Sequence, residues 1–207
     1  MKMRHYINSH KGVTILAMLG LMIGFGRWEN ATAWLYLAMH GGYGLLWVAK
    51  SRIFPDPHWE RTVPWYLGVF WLWGGLTLYW ASGFLIFWWN VSAPAWYLAM
   101  CVFLYTLGVF FHFGSDMQKH AALAARPGKL ITSGFFRLSR NPNYFGELLI
   151  YLGFGLLAMH WLPGIVIAGA MATFWVPRMI RKDRSLARYS EFAEYKKRTA
   201  MLVPFVI

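Results

Sequence analysis

The chain is short of charge, and shortest of acid: 8 Asp and Glu stand against 20 Lys and Arg in 207 residues. Charged residues make up 14% of it, where a soluble domain averages about 25%. A single cysteine, Cys101, sits inside an apolar run, which excludes a disulfide framework and a thiolate metal site. The 7 His fall into no HExxH-like spacing, so no metal is expected. No internal repeat or low-complexity stretch is present, and the paired broken helices of a transporter are missing, although Gly41-Gly42 and Gly74-Gly75 are mild breakers.

What is there is apolar and aromatic. Hydrophobic residues reach 58%, with 13 Trp, 16 Phe and 11 Tyr. Several near-uncharged stretches approach the roughly 20 residues that cross a bilayer. The expectation is an all-α polytopic membrane helix bundle with about six transmembrane helices: 13–26, 31–49, 64–89, 95–113, 142–160 and 165–176. Residues 1–12 read as a basic lead rather than part of a cleaved signal, because no small-residue cleavage pattern follows. The segment 55–61, with two prolines, reads as a loop, and 178–198 as a basic helix at the membrane surface.

Charge supports this layout. With the N-terminus inside, all Lys and Arg except Arg27 fall on the inner side. That bias is the positive-inside rule, and it places both termini in the cytoplasm. It also accounts for the net charge of +12 without nucleic acid. Four spans make up 1–113; the remainder, 114–207, carries the long basic loop, two further spans and the basic C-terminal segment.

The stretch 140–147, RNPNYFGE, is the sharpest local signal. Asn141 suits an N-cap and Pro142 the first helical position. Asn143 and Glu147, four apart, share one helix face. Glu147 then lies inside an apolar helix, where a carboxylate is expensive and marks a ligand or a partner. Arg137 and Arg140 precede a helix N-terminus, which favours an anion; the positive-inside bias explains them equally well. Asp116 ends the fourth span, within a turn of His112, and pairing with Lys119 is its plain alternative. His40, Tyr43 and Tyr144 are candidate proton donors. A soluble cofactor met on the cytoplasmic side and a lipid-like substrate taken from the bilayer fit this distribution.

From Gly114 onward the chain resembles the C-terminal domain of the steroid 5α-reductase family, in its bacterial-type branch. The residues that carry the resemblance are Ser115-Asp-Met-Gln-Lys119, Arg126-Pro-Gly-Lys129, Thr132-Ser-Gly134, Ser139-Arg-Asn-Pro-Asn-Tyr-Phe-Gly-Glu147, Tyr195-Lys-Lys-Arg-Thr199 and Leu202-Val-Pro-Phe205, in family order. Sterol reductases and isoprenylcysteine carboxyl methyltransferases share a related pattern around the motif arginine. The resemblance implies an integral membrane reductase that uses NADPH on a lipid-like enone or C=C bond, its cofactor in the cytoplasmic half of the bundle. It also implies that 114–207 is the cofactor side and 1–113 the substrate side. A basic N-terminus with no targeting signal fits a bacterial inner membrane. It implies cofactor contacts from Asp116, Asn143 and Glu147. Lys119, Arg137, Arg140, Arg181, Lys197 and Arg198 would meet phosphates, with Tyr195 beside them. Three departures stand out: Asn141 replaces the usual His, the N-terminal half is short, and the acid of the family's Glu–Tyr substrate pair is missing. Tyr43 and Tyr144 are left as the catalytic candidates. The alternative is an S-adenosylmethionine-dependent methyltransferase of a lipid or prenylated group. Those enzymes carry two Glu where this chain has Lys182-Asp183, a pair better matched to a phosphorylated dinucleotide. No protein partner is inferred; membrane lipids and a lipid-like substrate are.

Overall fold

The computed structural model describes residues 1–206. Among these the chain is helical, with two isolated β-bridges and no strand. The helices are α1 (Met3–Gly24), α2 (31–53), α3 (Leu67–Trp89), α4 (Ala95–Ala125), a short α5 (Phe135–Leu138), α6 (Pro142–Leu156), α7 (Leu162–Leu186) and a short α8 (Phe192–Lys197). The protein is a membrane helix bundle. By length and composition α3, α4 and α7, at 23, 31 and 25 residues, are long and apolar enough to cross a bilayer. The other three expected spans are helices too, with reasons for falling short. α1 and α2 carry Lys11 and Lys50 within them. α6 has 15 residues, about 22 Å of rise against a hydrocarbon core of ~30 Å.

Several boundaries differ from expectation. The basic lead is not separate: α1 begins at Met3 and takes in Arg4 and Lys11. The fourth span does not stop near Phe113 but runs on to Ala125, so Asp116 and Lys119 lie on a helix rather than at its end. The short sixth span and the start of the basic surface segment are one helix, α7, eased by a π-turn at Met171–Trp175. The loop at 55–61 contains a single 3₁₀ turn, Pro57–Glu60, opened by the Asp56 carboxylate accepting from His58 N–H at 2.9 Å.

The chain forms two compact units: Met1–Phe103 with Leu152–Val166, and Leu104–Tyr151 with Ile167–Ile207. In the first, α1 lies close against α2 because Gly44 has no side chain; a Cβ there would collide with the Lys11 carbonyl oxygen. The contact brings His10, Lys11 and Thr14 of α1 inside. Lys11, 3% exposed, holds its ammonium 4.0 Å over the Tyr43 ring, a cation–π contact that offsets part of the desolvation cost. α2 carries a π-turn at Leu37–Gly41, which includes His40. His40 stacks on Phe154 at 4.2 Å and shares a hydrogen bond of 2.7 Å with the Tyr36 hydroxyl. Arg27, the one basic residue assigned to the outer side, donates to the Phe87 carbonyl at 2.6 Å.

In the second unit α4 and α6 cross at two glycines. A Cβ on Gly108 would stand 2.7 Å from both Gly146 O and Ile150 N, and one on Gly146 would collide with His112 N. Small residues are the usual means of bringing membrane helices this close. Here they set the polar stripe of α4 beside the polar start of α6.

Candidate functional site

Three helices supply the site, each through residues that belong to the second unit. On α4, His112, Asp116 and Lys119 follow Gly108 at helical spacing and therefore share its face. His112 is buried, and its Nδ1 donates to the Asn143 carbonyl at 3.1 Å. On α6, Tyr144 and Glu147 lie one turn apart, and the Tyr151 hydroxyl donates to Glu147 Oε1 at 3.2 Å. On α7, Trp175, Arg178 and Lys182 form the corresponding stripe, with Trp175 packed against Tyr144 and Tyr151 at ring distances of 5.9 and 5.8 Å. Arg178, Glu147 and Asp116 all act electrostatically on the Tyr144 hydroxyl. Lys182 stands within the fields of Lys119, Asp183, Asp116 and Arg140. The result is a cluster of four cations (Lys119, Arg140, Arg178, Lys182) and three carboxylates (Asp116, Glu147, Asp183).

One edge of the cluster is a clip. Arg140, 6% exposed, donates from Nε to both oxygens of Asp183 at 3.2 and 3.1 Å. Its Nη1 donates to the Lys196 and Thr199 carbonyls. Lys182 Nζ donates to the Arg140 carbonyl at 2.6 Å and to Asn141 Oδ1 at 3.1 Å. Asn141 Nδ2 donates to Met201 O at 2.8 Å, and Arg140 N–H to Ala200 O at 2.9 Å. Ser139 and Ala200 form a parallel bridge, and the Tyr195 hydroxyl donates to Phe136 O at 2.7 Å. Burial pushes the Tyr195 phenol up to about 12. Asn141 stands at the helix start as expected, but its amide ties the start to the C-terminal segment.

Of the residues read from sequence, Asp116, Lys119, Arg140, Tyr144 and Glu147 come together here. Asn143 is half-buried on the first turn of α6, and Tyr195 is buried under the clip. Arg137, Arg181, Lys197 and Arg198 are exposed and lie outside the cluster. Tyr43 is buried in the first unit. Sequence reasoning left Arg178 out of the site. Its signal was present: it follows the apolar run of α7 and stands four residues before Lys182. Ending the span at Val176 hid that register. Among the described residues no three His, Cys, Asp or Glu side chains gather as metal ligands.

The first unit has a small surface cleft lined by Arg4, Asn8, Trp47, Lys50, Asp56 and Trp59 among others. It holds no comparable constellation. Glu60 at its rim is neutralised by Lys2 at 2.9 Å and Arg4 at 2.8 Å.

Residues 58–199 match the family described as "Protein of unknown function (DUF1295)". Over 77 residues the chain is 42% identical to the cobalt-zinc-cadmium resistance protein CzcN of Cupriavidus metallidurans. That match takes in 36% of this chain and 35% of the relative, so the chain spans about a third of that protein's length.

Proposed function

The chain belongs to the DUF1295 family, and from the charged cluster of its second unit we propose an NADPH-dependent reductase of a lipid-like enone or C=C bond, working in a bacterial inner membrane with the cluster on the cytoplasmic side. The observation that carries this is the composition of the cluster. Lys119, Arg178 and Lys182 with Asp116, Glu147 and Asp183, on helices α4, α6 and α7, and Arg140 in the bend before α6, share one electrostatic neighbourhood. A surplus of cations suits a phosphorylated, anionic ligand, and it disfavours the cationic sulfonium of S-adenosylmethionine.

The donor set fits a nicotinamide dinucleotide. Lys119 and Arg178 are the cations for its phosphates, with Lys182 behind them. Asp116 and Glu147 accept from ribose hydroxyls or the carboxamide, and Asn143 offers both donor and acceptor beside them. Arg140 holds the corner in shape, because its guanidinium is engaged with Asp183 and two carbonyls. When bound, the cofactor supplies a hydride. The chain's own contribution is orientation of that ligand, exclusion of water by the Trp175–Tyr151 stack, and a hydroxyl at Tyr144 under the control of Arg178. Such a hydroxyl, held beside a cation, can donate a proton to an oxygen that gains charge.

Titration of the detergent-purified protein with NADPH and with S-adenosylmethionine, followed by thermal stability, tests the proposal. NADPH at 100 times its dissociation constant stabilises by about 2.7 kcal/mol. Glu147→Gln and Asn143→Ala weaken NADPH binding and leave the unliganded melting point in place. Stabilisation by S-adenosylmethionine alone would overturn the reductase reading, and normal NADPH binding by both variants would move the site.

A further inference from the structure

The C-terminal part of the second unit has an inner and an outer face, and the outer face is not used by the cluster. On α7, Met179 and Asp183 are buried, while Arg181 and Arg184, three residues apart, are exposed together. On α8, Phe192 and Tyr195 are buried, while Lys196 and Lys197 are exposed, with Arg198 following. Arg188 joins them from the connecting turn. Against these six cations the same stretch exposes two acids, Glu191 and Glu194, and only Glu194 pairs with one of them, Arg198 at 3.5 Å. The same stretch of chain also exposes apolar side chains: Ile180 on α7, then Val203, Val206 and Phe205, which is 85% exposed. Cations beside bare apolar groups suit one kind of surface, negative heads above hydrocarbon. The carrier helix α7 is itself long and apolar enough to cross a bilayer, so its polar end emerges at a leaflet surface.

We propose that the outer face of residues 180–206 docks on a leaflet of anionic phospholipid, with Arg181, Arg184, Arg188, Lys196, Lys197 and Arg198 at the headgroups and Phe205 below them. This assigns Arg181, Lys197 and Arg198 to lipid phosphates rather than to those of a dinucleotide. The proposal stands on exposure and charge, and does not depend on the reductase reading.

The full chain is placed in nanodiscs of phosphatidylcholine alone and in discs doped with phosphatidylglycerol. An environment-sensitive dye is attached at Val206→Cys; Cys101 is buried, so the introduced thiol is the reactive one. The expected result is a blue-shifted emission in the anionic discs only, weakened by added salt. Each basic residue at such a surface weighs about fivefold in affinity, so Arg184→Gln/Lys196→Gln/Lys197→Gln lowers it on the order of a hundredfold. Phe205→Ser, at an exposed position that leaves the fold intact, also reduces the shift. Equal emission in both lipids, or a shift that survives the triple substitution, overturns the proposal. NADPH titration of Arg181→Gln/Lys197→Gln/Arg198→Gln gives an independent arm: unchanged affinity is expected, and a tenfold loss with an intact lipid response returns those cations to the cofactor. Should the parent protein bind no NADPH at all, the reductase reading fails while the dye measurement still decides this one.

Discussion

The two units bury polar groups in opposite ways. In the first, Lys11 meets the faces of Tyr43 and Trp47 at 4.0 and 5.3 Å, His40 lies flat on Phe154, and Trp80 donates to the Thr14 hydroxyl at 3.2 Å. Its interior polar groups are held largely by aromatic faces and neutral hydrogen bonds. In the second, Arg140, Asp183, Lys182 and Asn141 are held by full charges and by backbone carbonyls. Aromatic faces tolerate a cation without fixing its direction closely, whereas a guanidinium on a carboxylate fixes both partners. The first arrangement suits a scaffold around an apolar guest; the second suits a corner that must hold one geometry for a charged ligand.

The largest effect is expected at Arg140. Arg140→Ala leaves Asp183 buried beside lost donors, and it is expected to cost about 3–5 kcal/mol, read by denaturant unfolding in detergent. Arg140→Met with Asp183→Leu should recover most of that loss, since removing both charges is far cheaper than removing one. A loss below about 1 kcal/mol for the single change would mean the clip is not a structural element.

In the first unit the matching change is Tyr36→Phe, which strips His40 Nδ1 of the hydroxyl at 2.7 Å. The expected cost is about 1–3 kcal/mol, again from unfolding curves. A larger loss than at Arg140 would reverse the contrast between the units.

Tyr195 gives an alkaline test. Its folded pKa, raised by burial from 10.0 to about 12, means the native state keeps a proton that the unfolded chain releases. The contribution is complete below pH 10 and disappears as pH rises from about 10 to 12. Tyr195→Phe should be less stable by about 1 kcal/mol at neutral pH and lack this alkaline loss.

Glu60 gives the acid counterpart, and the smallest effect. The hydrogen bond from Lys2, with Arg4 beside it, holds its carboxyl below the usual range. That stability is present above the ordinary carboxylate pKa and is lost as pH falls through the lowered one. Glu60→Gln should remove the acid slope and change little at neutral pH, because the pair is solvent-exposed.

Much of the architecture was legible. Hydrophobic run lengths located all six long helices, and Asn141-Pro142 fixed the start of α6. Of the residues singled out between Ser115 and Glu147, Asp116, Lys119, Arg140, Tyr144 and Glu147 share one electrostatic neighbourhood, while Arg137 is exposed outside it. Other features were harder to read from the sequence. The burial of Lys11 depends on Tyr43 and Trp47 standing opposite, 32 and 36 residues along the chain, and an isolated lysine in a basic lead reads as a loop charge. The facing of α7 was hidden because an apolar helix shows no periodicity until its charges begin, and the span was ended just before Arg178. Arg140 reads from sequence as an anion contact; only the arrival of Asp183, Lys196 and Thr199 turns it inward.

That arrival has a consequence for biosynthesis. Arg140 is met by Thr199, 59 residues later, and Ser139 by Ala200. When the ribosome has delivered α4, α6 and most of α7, the corner is still open, with a guanidinium and an amide awaiting carbonyls not yet made. The α4–α6 crossing at Gly108 and Gly146 can form early, and the charged corner closes last. A nascent chain stopped before residue 196 would therefore hold α4, α6 and α7 with their charged stripe, and lack the carbonyls that fix Arg140 and Asn141.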